Sequence, residues 1–147
     1  MPHLVFSEVA RRSPIPLISI IATCADAAKK QGMRRLALLG TRFTMDASMY
    51  PDEFRSRAIE IVTPGDTERT FIHDHYVSEL LKGTFRPEVR QHVEMIVMRM
   101  RADERIDGVI LGGTELALLL NAPTLAGLPV FNTTALHVDA IVKRLRG

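Results

Sequence analysis

The chain has 147 residues, 46% of them apolar and 24% charged, which suits one soluble domain with a sizeable core and excludes a disordered or low-complexity polypeptide. Its 19 Lys and Arg barely outnumber 17 Asp and Glu, and it carries two Tyr and no Trp, so neither a basic stripe nor a base-stacking platform is available for nucleic acid. The single cysteine, Cys24, excludes an intrachain disulfide framework and a cysteine-based zinc cluster, and it suits a reducing, cytoplasmic compartment.

The opening segment MPHLVFSEVARR lacks the apolar core and cleavage pattern of an export signal, and no run approaches the roughly 18 apolar residues of a membrane span. Residues 3–12 read as a short helix, broken by Ser13-Pro14-Ile15-Pro16. Ser19 is a suitable N-cap for a helix ending at Gly32, with Lys29 and Lys30 complementing its C-terminus. Cys24 lies there with Ile20, Ile21, Ala27 and Ala28 at helical spacing, so it belongs to a packing face rather than to a reactive site.

The run RRLALLGT predicts a strand closing on Gly40 and Thr41, Thr44 is placed as the cap of a helix to about Arg55, and Ala58 to Val62 forms the next strand. Asp66 opens a helix closed by Gly83, and Pro87 opens another that runs to about Ala102. The strand GVILGG, a helix from Glu115, a short strand LPVF and a last helix from about Thr133 complete the pattern. Strands alternating with helices predict an α/β fold, a parallel sheet flanked by helices with right-handed crossovers.

In such sheets ligands bind outside the carboxyl ends of the strands. LALLGT and VILGGT both end in Gly-Thr, so the hydroxyls of Thr41 and Thr114, with loop N–H groups, are expected to converge on a small anion. The same residues also suit helix starts: Thr41, Thr44 and Thr114 as caps, Glu115 as a first-turn acid, and Gly113 as a packing glycine. His73 and His75, two residues apart, point about 200° away from each other on a helix, so they form no chelate; His75 falls on the core side with Phe71, Ile72 and Tyr76. No Gly-x-Gly-x-x-Gly or P-loop is present, and no metal or nucleotide is expected.

Four segments, LLGTRFTM, ERTFIHDHYVSELLKG, DGVILGGTELALLL and PVFNTTALHVDAIV, together resemble the aspartate/glutamate racemases and their hydantoin-racemase relatives. That family's pattern reads Leu-Leu-Gly-Thr-x-x-Thr-Met, Glu-Arg before a helix ending Tyr-x-Glu-Leu-x-x-Gly, then Gly-Cys-Thr-Glu and Asp-Thr-Thr-x-x-His. The resemblance implies an aspartate/glutamate racemase-like domain with a partial companion domain: residues 1–33 a helical remnant of the family's N-terminal domain, 34–131 the C-terminal α/β domain, and 132–147 a helix packing back towards the N-terminal segment.

It further implies a cofactor-independent isomerase, needing no pyridoxal phosphate, acting on a small dicarboxylic amino acid as a homodimer. The pocket it implies comprises Thr41, Thr44, Gly112, Gly113, Thr114 and Glu115, with Lys82 either holding a substrate carboxylate or complementing a helix C-terminus. Two features depart from the pattern. Gly113 stands where the family carries a catalytic cysteine, and the other family cysteine falls before Met1; Asn132 also replaces the usual aspartate, while His137 matches. Racemisation removes the α-proton on one face and returns one on the other, so losing both thiols implies impairment. The alternative is a non-catalytic small-carboxylate-binding or oligomerisation module. Glu68 and Arg69 match the family's turn or simply pair with solvent.

Overall fold

The computed structural model describes residues 2–147. A 3₁₀ turn (Pro2–Val5) and α1 (Phe6–Arg12) precede α2 (Ile20–Lys30), whose N-cap Ser19 accepts the Ala22 N–H at 3.1 Å. There follow β1 (Arg35–Leu39), α3 (Arg42–Asp46), α4 (Met49–Arg55), β2 (Glu60–Val62), α5 (Asp66–Ser78), a 3₁₀ turn (Leu80–Lys82) and α6 (Pro87–Glu104). β3 (Gly108–Leu111), α7 (Thr114–Leu119), β4 (Thr124–Leu125), β5 (Leu128–Asn132) and α8 (Thr133–Arg146) complete it.

The sheet order is β2-β1-β3-β5-β4, parallel except for β4 against β5. β1 and β3 are buried on both faces, which is why their sequences are continuous apolar runs. Ala37, Leu39, Val109 and Leu111 pack with α5, α6 and α7 on one side. Leu36, Leu38 and Ile110 pack with α2 and α4 on the other, joined by Leu136 of α8. α8 lies along α2, and His137 donates Nε2–H to the Ile18 carbonyl at 2.8 Å.

At the amino end of the central pair, Asp107 accepts the Arg34 and Arg35 N–H groups at 2.8 and 3.1 Å, tying β3 to the start of β1. Gly108 is required by packing: a β-carbon there would lie 2.7 Å from Leu36 Cδ2. The chain leaves β1 towards β2 on one side and reaches β3 on the other, so the loops after β1 and β3 diverge. That divergence is the topological switch point of a doubly wound sheet. No helix among the described residues is long and apolar enough to cross a membrane.

The α/β class and the parallel sheet are as the sequence predicts; three local features differ. The helix expected from Thr44 to Arg55 is two helices, α3 and α4, because in one continuous helix the Pro51 ring would meet the Ala47 carbonyl. The cap of α3 is Thr41, whose side chain accepts the Thr44 N–H, and Thr44 is buried inside the helix. β4 forms a hairpin with β5 across Ala126 and Gly127, both at positive φ (50° and 74°), a turn the Leu-Ala-Gly-Leu sequence only half signals. Smaller shifts are that the helix expected to run from Asp66 to Gly83 ends at Ser78 and gives way to the 3₁₀ turn, that α6 runs two residues longer than expected, and that α7 starts at Thr114 with Gly113 as its N-cap.

Replacing Asp107 by Ala removes the acceptor for two backbone donors. We expect a loss of ~1–3 kcal/mol in urea-melt stability, with an unchanged circular dichroism spectrum; an unaltered midpoint would dismiss Asp107 as a tie between the central strands.

Candidate functional site

The switch point brings Gly40, Thr41, Thr44 and Gly112 together. The Gly112 N–H donates to the Leu39 carbonyl at 2.7 Å, the last rung of the β1–β3 ladder before the two loops part. The Thr44 methyl wedges between them: β-carbons at residues 40 and 112 would stand 3.0 and 3.1 Å from its Cγ2. The hydroxyls of Thr41 and Thr44 are 3.3 Å apart. Capping and packing are therefore what these residues do, alongside whatever they offer a ligand.

A second group sits at the start of α7. Gly113 has extended backbone (φ −162°, ψ 146°) that any residue adopts, so its conformation does not demand glycine. Packing does: a β-carbon would lie 2.2 Å from the Tyr76 hydroxyl oxygen and 2.9 Å from ring atoms Cε2 and Cζ. Tyr76, buried on α5, donates its hydroxyl to Glu115 Oε2, and Thr114 donates to the same oxygen at 2.7 Å. Those two donors hold the Glu115 carboxyl below its ordinary range, hydroxyl of Tyr76 first. Burial, reinforced by Glu115, pushes the Tyr76 phenol up.

The loop after β1 is pinned from α5. The Arg42 N–H donates to His73 Nδ1 at 3.1 Å, and the Arg42 guanidinium reaches Thr70 at 2.8 Å, Asp46 at 3.2 Å and Asp66. Arg69 reaches Asp46 at 2.5 Å, while Glu68 accepts the Gly65 N–H at 2.9 Å and binds Arg99 through two contacts of 2.6 Å. Glu68 and Arg69 thus pair within the protein rather than with solvent. Lys82 stands exposed on the 3₁₀ turn beside α7; its backbone N–H donates to the Glu79 carbonyl at 2.9 Å, and its ammonium pairs with no described residue.

Elsewhere, His73 turns to α3 and His75 lies against Phe71, accepted by the Phe71 carbonyl at 2.9 Å, so the two diverge as their spacing predicts. Among the described residues no group of three or more His, Cys, Asp or Glu is placed to hold a metal ion. Cys24 is fully buried in the α2 face of the core, where burial pushes its thiol up to about 12. A cleft of about 270 Å³ opens at the carboxyl ends of β3 and β5, lined by Leu111, Ala117, Leu120, Val130 and Asn132. Sequence reasoning assigned Tyr76 to the core and missed its place in the site; the available signal was the glycine at 113, which frees a volume that a large neighbour fills.

A doubly wound α/β domain with threonine- and glycine-bearing loops at its switch point is thereby defined. The profile of the Asp/Glu/hydantoin racemases matches residues 1–141, and the chain belongs to that family. Among solved structures, it is similar to an aspartate racemase homologue from Pyrococcus horikoshii OT3, with a TM-score of 0.90 and 32% identity over 99% of this chain and 63% of that one. An aspartate racemase of Picrophilus torridus shares the fold at a TM-score of 0.73 and 22% identity, covering 97% of this chain and 57% of that one. An uncharacterised protein from the pnlA 3′ region of Pectobacterium carotovorum subsp. carotovorum is 26% identical over 78% of this chain and 75% of its own length. The chain thus spans less than two thirds of the length of these solved structures.

Two outcomes are expected. Gly113→Ala should destabilise by ~1–3 kcal/mol through overpacking, and much less in a Tyr76→Leu background; denaturant melts of the four proteins giving additive effects would show that the two positions do not compete for space. Glu115→Gln should cost ~1–2 kcal/mol at neutral pH. Because the folded carboxyl titrates lower than its ordinary 4.5, that contribution is complete above 4.5 and disappears as pH falls through the lowered value; a gap between the two melts that widens on acidification would contradict it.

Proposed function

We propose that this chain is an aspartate/glutamate-type racemase domain whose carboxyl-edge loops hold a small dicarboxylic amino acid but whose own face of the site is impaired for proton transfer. The observation that carries the reading is the occupation by Tyr76 of the space into which a side chain at residue 113 would project.

Inversion at an α-carbon needs a base on one face and an acid on the other, each with a pKa near the working pH. Neither Glu115 nor Tyr76 meets that need. Glu115 is a stabilised anion accepting two hydroxyls, and the Tyr76 phenol is raised away from neutrality. The Cys24 thiol lies in the opposite layer, protonated and enclosed. Binding is a lesser demand: the Thr41 hydroxyl suits a ligand carboxylate, Glu115 with its donors Tyr76 and Thr114 suits an ammonium, and the exposed Lys82 ammonium is free to reach a second carboxylate. The cofactor-independent chemistry of a racemase enters this reading only through a proton-transfer group that residue 113 does not supply.

The test is proton NMR of L- and D-aspartate and L- and D-glutamate in D₂O with the protein. Saturation transfer to the amino acid with its α-proton signal retained is expected. A thiol general base is worth ~10²–10⁴-fold, yet Gly113→Cys alone should restore no exchange because Tyr76 obstructs it. Exchange of the α-proton by the unmodified chain would overturn the reading, and so would failure of all four amino acids to bind.

A further inference from the structure

α2 and α8 run side by side in the same direction. His137, one turn into α8, bonds to the Ile18 carbonyl just ahead of α2, so the two helices start together. Both therefore end at the amino edge of the sheet, opposite the threonine- and glycine-bearing loops. Between them lies an open cavity of about 650 Å³, within the size range of small-molecule sites. Each helix contributes one face to it: Thr23, Ala27 and Lys30 from α2, and Leu136, Ala140 and Lys143 from α8, at the three- and four-residue spacings that bring side chains together. Alanines at 27 and 140 leave the gap between the helices unfilled, and Ala27 and Leu136 rest on the core below.

One end of the groove is charged. Lys29, Lys30 and Lys143 line it, all exposed, and their ammonium groups pair with no described residue. Of the two carboxylates beside them, Asp26 is held by Arg57 at 2.7 Å, which leaves Asp139 against three cations. Lysines suit the negative ends of two helices, yet each ammonium keeps donors free for a ligand oxygen. The groove is thus apolar along roughly 10 Å, at 1.5 Å rise per residue, and cationic where it ends. We propose that it binds a small amphiphilic anion, an aliphatic chain closing on a carboxylate, with the chain on Ala27, Leu136 and Ala140 and the head between Lys30 and Lys143. A neutral chain forgoes the lysines, a cationic one is repelled by them, and a wholly polar anion leaves the apolar floor in water. The site stands apart from the carboxyl-edge loops and does not depend on what they hold.

The test is amide NMR of the whole chain, isotope-labelled, titrated at neutral pH with octanoate, and with 1-octanol and octylammonium as neutral and cationic counterparts of equal length. Octanoate should saturably shift the amides of residues 23–30 and 136–143, with a Kd of about 1 mM or tighter. Octanol and octylammonium should bind at least ~10-fold more weakly. Lys30→Glu combined with Lys143→Glu should weaken octanoate ~10-fold or more and strengthen octylammonium. Both lysines are exposed, and the amide spectrum itself reports whether the variant is folded. Ala140→Phe, which fills the floor, should remove binding, whereas Leu145→Ser, on the exposed outer side of α8, should leave it unchanged. Octanol or octylammonium binding as tightly as octanoate would overturn the role of the charged end. Shifts centred on Val138 and Leu145 or on the carboxyl-edge loops, or an affinity unmoved by the lysine reversals, would overturn the site. The absence of saturable shifts up to about 10 mM would overturn the proposal altogether.

Discussion

The parallel pairing of β1 with β3 is the interaction on which the rest of the structure depends. It runs from Leu36 opposite Gly108 to Leu39 opposite Leu111, with layers of helices on both sides. Because both faces are buried, a register slip of one residue would exchange the contents of the two cores. Asp107 fixes the amino end, the Gly112 N–H to the Leu39 carbonyl fixes the carboxyl end, and Gly108 leaves room for Leu36 between them. The crevice follows from this pairing, since the loops leaving β1 and β3 must part at its carboxyl end.

At that end one volume is disputed between two residues. With Tyr76 seated on Glu115, position 113 has no room for a β-carbon, so the glycine and the tyrosine are one arrangement rather than two independent features. Under the reading proposed above, its chemical consequence is a change in the kind of acid at the site. A thiol near neutrality is a proton carrier, whereas a buried phenol hydrogen-bonded to an anion holds its proton. The hydroxyl that fills the space therefore stabilises the carboxylate and does not substitute for a thiolate.

Much of this was legible in the residues. Alternation of apolar runs with capped helices gave the α/β class, Ser19 marked a real boundary, Gly83 closes the 3₁₀ turn rather than α5, and the apolar spacing around Cys24 placed it in the core. Elsewhere local signals competed. Thr41 and Thr44 are equally good caps by type, and the choice was made by Pro51, which breaks the helix downstream, and by burial of the Thr44 methyl between two glycines. The β4 hairpin was hidden because Ala126 takes a left-handed conformation that alanine seldom adopts, with Arg101 donating to its carbonyl at 2.7 Å. Tyr76 escaped as a site residue because contact between α5 and the start of α7 joins residues 39 positions apart, a separation no periodicity reports.

Residues that serve folding and residues that serve chemistry are hard to separate in this crevice, and the separation bears on what their presence means. Thr41 ends the loop as a cap, Gly112 makes the last rung of the β1–β3 ladder, and Thr114 and Glu115 begin α7 while anchoring Tyr76. Each has a structural reason to persist in a protein that turns nothing over. Residue 113 is different, because its extended backbone accepts any side chain and what a β-carbon meets first is Tyr76. Its identity is thus the informative one: a proton-transfer group there would require Tyr76 to give up its seat on Glu115, and with it the hydrogen bond that orders the start of α7. Under the reading proposed above, exchange of that one packing arrangement, with the fold otherwise intact, would separate a binding site from a catalytic one on this scaffold.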